Sequence, residues 1–449
     1  MSDNTISQWL AEHPEVESIF VCVCDLNGIM RGKRIPVHQA RKMSGGQLRM
    51  PLSLVNVDVW GEDIEGSQLV FETGDADGLC ELVDRGLVPV NWTSRPGALA
   101  MLWMRYENGV PFEGDPRRAL AQMVERYRVL GLTPVVATEL EFYLCDPAKN
   151  NPQAPCSPIT GERLDSNGVL SVDELEHFDA FLNEVYDACA AQGVPADAAI
   201  SENGAGQFEI NMTHVADPLR AADDAVLFKR LVRGIARKHG FLGTFMAKPY
   251  NQRSGNGCHV HFSLVDDNGV NVFDNGGDEG TPLMLHAVAG LLATMYQSTL
   301  TFAPHENSYK RLRVGAHAPT NIAWGYENRT AAIRIPGGSH KARRIEHRVA
   351  GADANPYLVL ASILGGALIG IEQKMTPPDA ITGDAYKLDL EQLPLDWSSA
   401  IDAFHSGEHV QEIFSEQLQR LFVECKTQEL NRFARTVTDF EYRSYLEVV

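Results

Sequence analysis

The 449-residue chain lacks the positive charge that a grip on nucleic acid phosphates requires, because 59 Asp and Glu against 39 Lys and Arg give a net charge of −20. Sequence-independent binding to nucleic acid rests on neutralising phosphates, so nucleic acid is excluded as the expected partner. Long apolar runs are missing too. The most apolar long stretch, 357–371, is about 15 residues, short of the roughly 18–20 that cross a bilayer, and it reads as a buried helix with no membrane role. The opening MSDNTISQWLAEHPEV carries neither a basic leader with an apolar run nor a small-residue cleavage site. Cysteine is sparse and scattered. Of the eight, only Cys22 and Cys24 are close, which argues against a disulfide framework or a Cys-rich zinc site. A cytoplasmic location is the expectation, and the glycosylation tripeptides at Asn91, Asn211 and Asn328 then read as chance matches. Also absent are a G-x-x-x-x-G-K-[ST] phosphate loop and a convincing dinucleotide fingerprint, so any phosphate must be handled by metals and arginines.

What is present is a chain that is 44% apolar and long enough for two domains. Strand-like pieces at Ser18–Cys24 and 99–106, broken by Asn27-Gly28 and Arg95-Pro96-Gly97, suggest a small β-rich N-terminal domain. Asn108-Gly109-Val110-Pro111 marks a break, and Asp115-Pro116 then opens a helical spacing through Leu120, Met123, Val124 and Tyr127. The expected boundary lies near 110, dividing the chain into 1–110 and 111–449. Beyond it, helices over 173–192, 219–239, 283–300 and 355–373 alternate with short strands, and 147–168 reads as a long loop. The expected class is α+β with an antiparallel sheet carrying the function.

Those strands hold the unusual polar residues. Alternation along VVATELEFYL puts Glu139, Glu141 and Tyr143 on one face, opposite Leu140, Phe142 and Leu144. Adjacent carboxylates repel and raise each other's pKa unless a cation lies between them. Glu209 repeats the pattern in QFEIN, with Glu202 one Gly-rich turn upstream, and GNGCHVHFSL aligns His259, His261 and Ser263. An oxygen-rich set with an imidazole suits Mg²⁺ or Mn²⁺. Between 307 and 348 lie Arg311, Arg313, Arg329, Arg334, Arg343, Arg344 and Arg348, a density that fits anion binding beside the metals.

Taken together, TELEFYL, SENGAGQFEIN, KPYNQRSGNGCHVHFSL, NSYKRL, NRTAAIRIP and KARRIEHRVAGADANPYL closely resemble the glutamine synthetase family, over about 15–449. The resemblance implies a β-grasp-like N-terminal domain and a larger catalytic domain with a curved antiparallel sheet and flanking helices. It also implies a homo-oligomer of two stacked hexameric rings, a dodecamer, with the C-terminal TVTDFEYRSYLEVV helping to join the rings. By the same likeness Glu141, Glu202 and Glu209 bind one metal, and Glu139, His259 and Glu346 bind a second. His261, Ser263, Arg334 and Lys341 contact ATP; Gly255, Arg311 and Arg348 hold glutamate; Arg329 and Arg344 face the phosphoryl group in transit. The implied reaction is phosphorylation of the γ-carboxylate by ATP, followed by displacement of the phosphate by an amine.

Two departures bear on that amine. The family's Asp-Gly-Ser-Ser motif is missing; the corresponding region reads LVNVDVWGEDIEG, where Asp58 or Asp63 stands as a substitute. The family's flap glutamate appears here as His317 in RLRVGAHAPTN. Losing negative charge at two contacts removes the basis for selecting bare ammonium, whereas an imidazole can still take a proton from an amine. GDADG, EHRVAGADANPYL and the CKTQEL to EYRSYL tail look most like the γ-glutamylpolyamine synthetase branch, which implies a γ-glutamyl amide ligase acting on a polyamine or small monoamine. The alternatives are a biosynthetic glutamine synthetase using ammonia and a catalytically silent relative. The GDAYKLDL around Tyr386 matches poorly the tyrosine motif at which some relatives are adenylylated.

Overall fold

The computed structural model describes residues 3–43, 46–147, 152–165 and 168–449. After helix α1 (Asp3–Glu12), strands β1 (Ser18–Cys24), β2 (Met30–Pro36), β3 (Arg49–Pro51), β4 (Asp77–Val90) and β5 (Gly97–Arg105) form a sheet in the order β2-β1-β5-β4-β3. β1 and β5 run parallel and the other neighbours antiparallel. The run SIFVCVC is buried almost throughout, as befits a strand covered on both faces. Asn27-Gly28 makes the expected turn, with Gly28 at φ 73° and its N–H donating to the Asp25 carbonyl.

The second sheet is built from β6 (Leu132–Cys145), β7 (Ala196–Ser201), β8 (Gln207–Met212), β9 (Leu242–Thr244), β10 (Cys258–Asp266), β11 (Trp324–Tyr326), β12 (Ile333–Ile335) and β13 (Ile345–His347). Its order is β11-β12-β13-β10-β6-β8-β7, with β9 on the end of β6. Apart from the parallel pair β11 and β12, its neighbours are antiparallel. The helices are α2 (Pro116–Val129), α3 (Val172–His177), α4 (Asp179–Gln192), α5 (Pro218–Lys238), α6 (Pro282–Phe302), α7 (Pro356–Gln373), α8 (Trp397–Ser406), α9 (Glu408–Ile413), α10 (Glu416–Arg435) and α11 (Asp439–Tyr445). The Asp115 carboxylate caps α2 at the Arg117 N–H, with Pro116 in the first turn, as the sequence predicts.

The single helix expected over 173–192 is two. The backbone breaks at Phe178 (φ −110°), whose buried ring packs edge-on to Phe208 at 5.3 Å and against Phe241 at 5.7 Å. Burying that aromatic outweighs the few backbone bonds lost to the kink. Phe142 is the hub beneath the sheet, with ring centroids 5.6–6.3 Å from Phe181, Phe208, Phe228 and Phe245. This apolar floor holds the alternate residues Glu139 and Glu141 on the opposite face.

α6 and α7 are long and apolar enough by length and composition to cross a membrane, yet most of each is buried inside the fold. They touch through glycine: a Cβ on Gly290 would lie 2.2 Å from the Gly366 carbonyl oxygen and 2.5 Å from the Gly370 nitrogen. Gly290→Ala therefore forces two backbones apart and is expected to cost about 1–3 kcal/mol, read as a lowered Tm with the secondary structure retained. α10 returns to the first sheet, where the fully buried Lys426 and Glu429 pair at 2.8 Å and Glu429 accepts the Val59 N–H at 2.8 Å. The eight cysteines are free thiols.

Candidate active site

The register of the second sheet brings the polar residues of five strands into one diagonal. His259 on β10 faces Glu139 on β6, and Glu209 on β8 faces Glu141. Glu346 on β13 faces His261, and Arg334 on β12 faces Glu346. Above this diagonal opens a cavity of about 1000 Å³ lined by Glu139, Glu141, Glu202, Glu209, His259, His261 and Glu346 together with Arg311, Arg329, Arg334, Arg344 and Arg348.

Two triads have ligand atoms within 4.8 Å of one another: Glu139, Glu209 and His259, and Glu139, His261 and Glu346. Glu139 belongs to both because its oxygens accept from His259 Nδ1 at 3.2 Å and His261 Nε2 at 2.8 Å. The hydrogen bonds fix the imidazoles. Arg344 Nε donates to His261 Nδ1 at 3.2 Å, so that nitrogen carries the lone pair and Nε2 the proton. His259 donates through Nδ1, which leaves its Nε2 as the acceptor. Glu141 is anchored by the Gly257 N–H at 2.7 Å and Gln207 Nε2 at 3.3 Å, and Asn211 Nδ2 donates to Glu209 at 3.0 Å.

The carboxyls divide electrostatically. Burial opposes the charge on Glu139, but the hydrogen bonds from His259 and His261 prevail and hold it well below the usual carboxylate range. Burial likewise opposes Glu346, yet Arg348, the two imidazoles and Arg334 bring it down to about 2. Arg334 donates to it at 2.7 Å, and Arg348 also hydrogen-bonds it. Glu202 is pushed up to about 7 by burial and then by Glu141. Glu209 rises to about 9 through burial and the repulsion of Glu139, Glu141 and Glu202. Carboxylates and imidazole gathered this closely, with two acids short of compensating charge, fit a divalent cation that prefers oxygen ligands. A sign follows for pH. Because the folded-state pKa values of Glu202 and Glu209 are raised, the stability they contribute without metal is present below the usual carboxylate range. It is lost as pH rises through about 7 and about 9. A divalent cation held by Glu202 and Glu209 would need both deprotonated, so the Tm increase that added Mn²⁺ produces is expected to grow over the same window, with protons released on binding. A pH-independent Tm increase would contradict this.

Among the arginines, buried Arg311 donates through one terminal nitrogen to the Val349 carbonyl at 2.8 Å. Gly255 is pressed against it: a Cβ there would meet the Ala247 carbonyl oxygen at 2.4 Å and Arg311 Cγ at 2.9 Å. At the open end Asn203 Nδ2 donates to His317 Nε2 at 3.4 Å.

Residues 113–445 match the model of the glutamine synthetase catalytic domain, which is well over half of the chain. The chain belongs to the glutamine synthetase family. It is 38% identical over 439 residues to γ-glutamylputrescine synthetase of Escherichia coli, covering 97% of this chain and 93% of that one. To a glutamate–isopropylamine ligase from a Pseudomonas species it is 31% identical over 447 residues, covering 98% and 96%. The solved structure of a GmaS/ADP complex superimposes with a TM-score of 0.84 at 28% identity and full coverage of both chains. The α+β fold of the glutamine synthetase family is therefore the fold of this chain.

Fourteen of the sixteen site residues named from the sequence line the cavity: the five acids and one imidazole taken as metal ligands, His261, Arg334, Gly255, Arg311, Arg348, Arg329, Arg344 and His317. Ser263 lies farther along the same face of β10, opposite Val135, and Lys341 sits exposed in the turn before β13; neither lines it. The triads also cut across the grouping that the family likeness implies, since His261 joins Glu139 and Glu346 while Glu141 and Glu202 stand outside both. Of the two aspartates weighed near the missing family motif, Asp58 is buried and committed to its own loop, accepting from the Trp60 and Glu62 N–H groups and from Gln428. Asp63 is exposed. Sequence reasoning passed over Gln207, Asn211 and Asn203, although Gln207 and Asn211 share the strand face of Glu209 and the same alternation reveals them. It also passed over Glu327, which accepts from Arg334 at 3.0 Å and has no spacing signal.

Proposed function

We propose that the chain is an ATP-dependent ligase that joins the γ-carboxyl group of glutamate to an amine. The observation that carries this is the single cavity in which six potential metal ligands confront five arginines while the residue at its open end is an imidazole. Relatives of matching length named for γ-glutamylputrescine and for isopropylamine add support.

In this reading Arg311 and Arg348, with Gly255, bind glutamate, and His261, Ser263, Arg334 and Lys341 contact ATP. Glu141, Glu202, Glu209, Glu139, His259 and Glu346 would hold two Mg²⁺ or Mn²⁺ ions, which supply positive charge to the phosphate oxygens. Arg329 and Arg344 stabilise the phosphoryl group as it moves. The γ-carboxylate oxygen forms a bond to the terminal phosphorus of ATP, the bond to ADP breaks, and γ-glutamyl phosphate results. The amine nitrogen then attacks the carbonyl carbon, phosphate leaves, and His317 accepts the proton that the nitrogen sheds. The division into 1–110 and 111–449, a cytoplasmic location and a dodecamer of two hexameric rings complete the proposal.

Purified protein with ATP, glutamate and Mg²⁺ or Mn²⁺ is to be given ammonia, methylamine, ethanolamine, putrescine and spermidine in turn, with phosphate release and product mass recorded. A γ-glutamyl amide of an organic amine should form in preference to glutamine. A clear preference for ammonia would return the chain to nitrogen assimilation.

A further inference from the structure

Two non-glycine residues in left-handed backbone, Leu170 (φ 57°) and His317 (φ 58°), line the same cavity. Such backbone is strained for a bulky side chain and persists where the surroundings enforce it. Both Leu170 and its neighbour Val169 are largely exposed, at 70% and 53%. Three loops are hooked into one rim around them. The Leu170 N–H donates to the Ser201 carbonyl at 2.8 Å, Ser201 Oγ donates to the Gly168 carbonyl at 2.7 Å, and Asn203, two residues on, reaches His317. The cavity floor is carboxylate and guanidinium, yet beside His317 the lining includes Val169, Leu170 and Ala316, with the exposed Asp197 farther off near the start of β7. Pointing leucine at water from strained backbone brings no gain within the chain itself.

We infer that Val169 and Leu170, with Ala316, form the wall along which the carbon chain of the amine lies, so that the enzyme selects a primary alkylamine by its methylenes. This rests on the ligase reading and names its substrate class. The reacting nitrogen has to reach the γ-carbonyl beside His317, and its carbons then trail outward over the rim. Ammonia has nothing to lay there, which discriminates against it without any acidic group. A second amino group meets only apolar side chains on this wall, and the acid Asp197, which also lines the cavity, stands at the other end of β7 from the Ser201 that holds Leu170, so a diamine as short as putrescine binds no better than a monoamine of equal length.

The test is kcat/KM along ammonia, methylamine, ethylamine, propylamine and butylamine, with putrescine beside butylamine, at saturating ATP and glutamate. Three proteins are compared: the unaltered chain, Leu170→Met, which keeps the apolar surface, and Leu170→Asn, which suits left-handed backbone but removes it. The unaltered protein should gain about fourfold per methylene. Leu170→Met should keep that slope and Leu170→Asn should lose it, with KM for glutamate and ATP unchanged in all three. An equal slope in Leu170→Asn, a flat series in the unaltered protein, a clear advantage of putrescine, or a glutamate KM that moves with the slope would each overturn the inference. If no nitrogen donor turns over, ammonia included, the ligase reading itself falls and takes this with it.

Discussion

Glu139→Ala is expected to lower ADP formation from ATP and glutamate by about 100- to 1,000-fold or more. Glu139 is the side chain shared by both triads, and it accepts from both imidazoles. Its loss removes a negative group from the centre of the proposed cation site and frees His259 and His261 to turn. The fold should survive, because the ladder of β6 with β8 and β10 is made by backbone groups and the aromatic floor around Phe142 lies on the other face. Glu139→Gln separates charge from shape. It can still accept from the imidazoles, so near-normal turnover in Glu139→Gln would show that the negative charge is not required. Both variants are read by steady-state ADP release, with circular dichroism confirming that the chain is folded.

Arg311→Ala should raise the KM for glutamate by about 30- to 5,000-fold, the range that follows from truncating one partner of a buried, hydrogen-bonded charge pair. Arg311 is buried, and desolvation pulls its guanidinium below its ordinary pKa even though Glu141 works in the opposite direction. A buried cation of this kind calls for an anion in the cavity. ATP affinity, measured by calorimetry, should change little, because the proposed nucleotide contacts lie on β10, β12 and the turn before β13. Arg311→Lys should recover only part of the loss, since it restores the charge but not the planar fork. Equal losses in glutamate and ATP binding would point instead to collapse of the whole cavity.

Much of this site was legible because strand alternation is a local rule. Reading every second residue of TELEFYL, QFEIN and CHVHFSL placed Glu139, Glu141, Glu209, His259 and His261 on their shared face before any pairing was known. What alternation does not contain is register. That His259 falls opposite Glu139 and Glu346 opposite His261 depends on pairings between residues 120 and 85 positions apart. For the same reason the regrouping of His261 with Glu139 and Glu346, and the distance of Ser263 and Lys341 from the cavity, had no sequence signature. The break at Phe178 was hidden because 173–192 has continuous helical propensity, and the aromatic contacts that override it come from Phe208 on β8 and Phe241 in the turn between α5 and β9. The buried Lys426 and Glu429 look in sequence like one more solvated pair on a charged helix; only the docking of α10 against Asn27 and Val59 shows that both are sealed from water.

The proposed placement of two cations is tested most directly by anomalous scattering from crystals grown with Mn²⁺ and ADP. Two peaks are expected within the cavity, one coordinated by Glu141, Glu202 and Glu209 and the other by Glu139, His259 and Glu346. A single ion, or ions bound away from these six side chains, would contradict it.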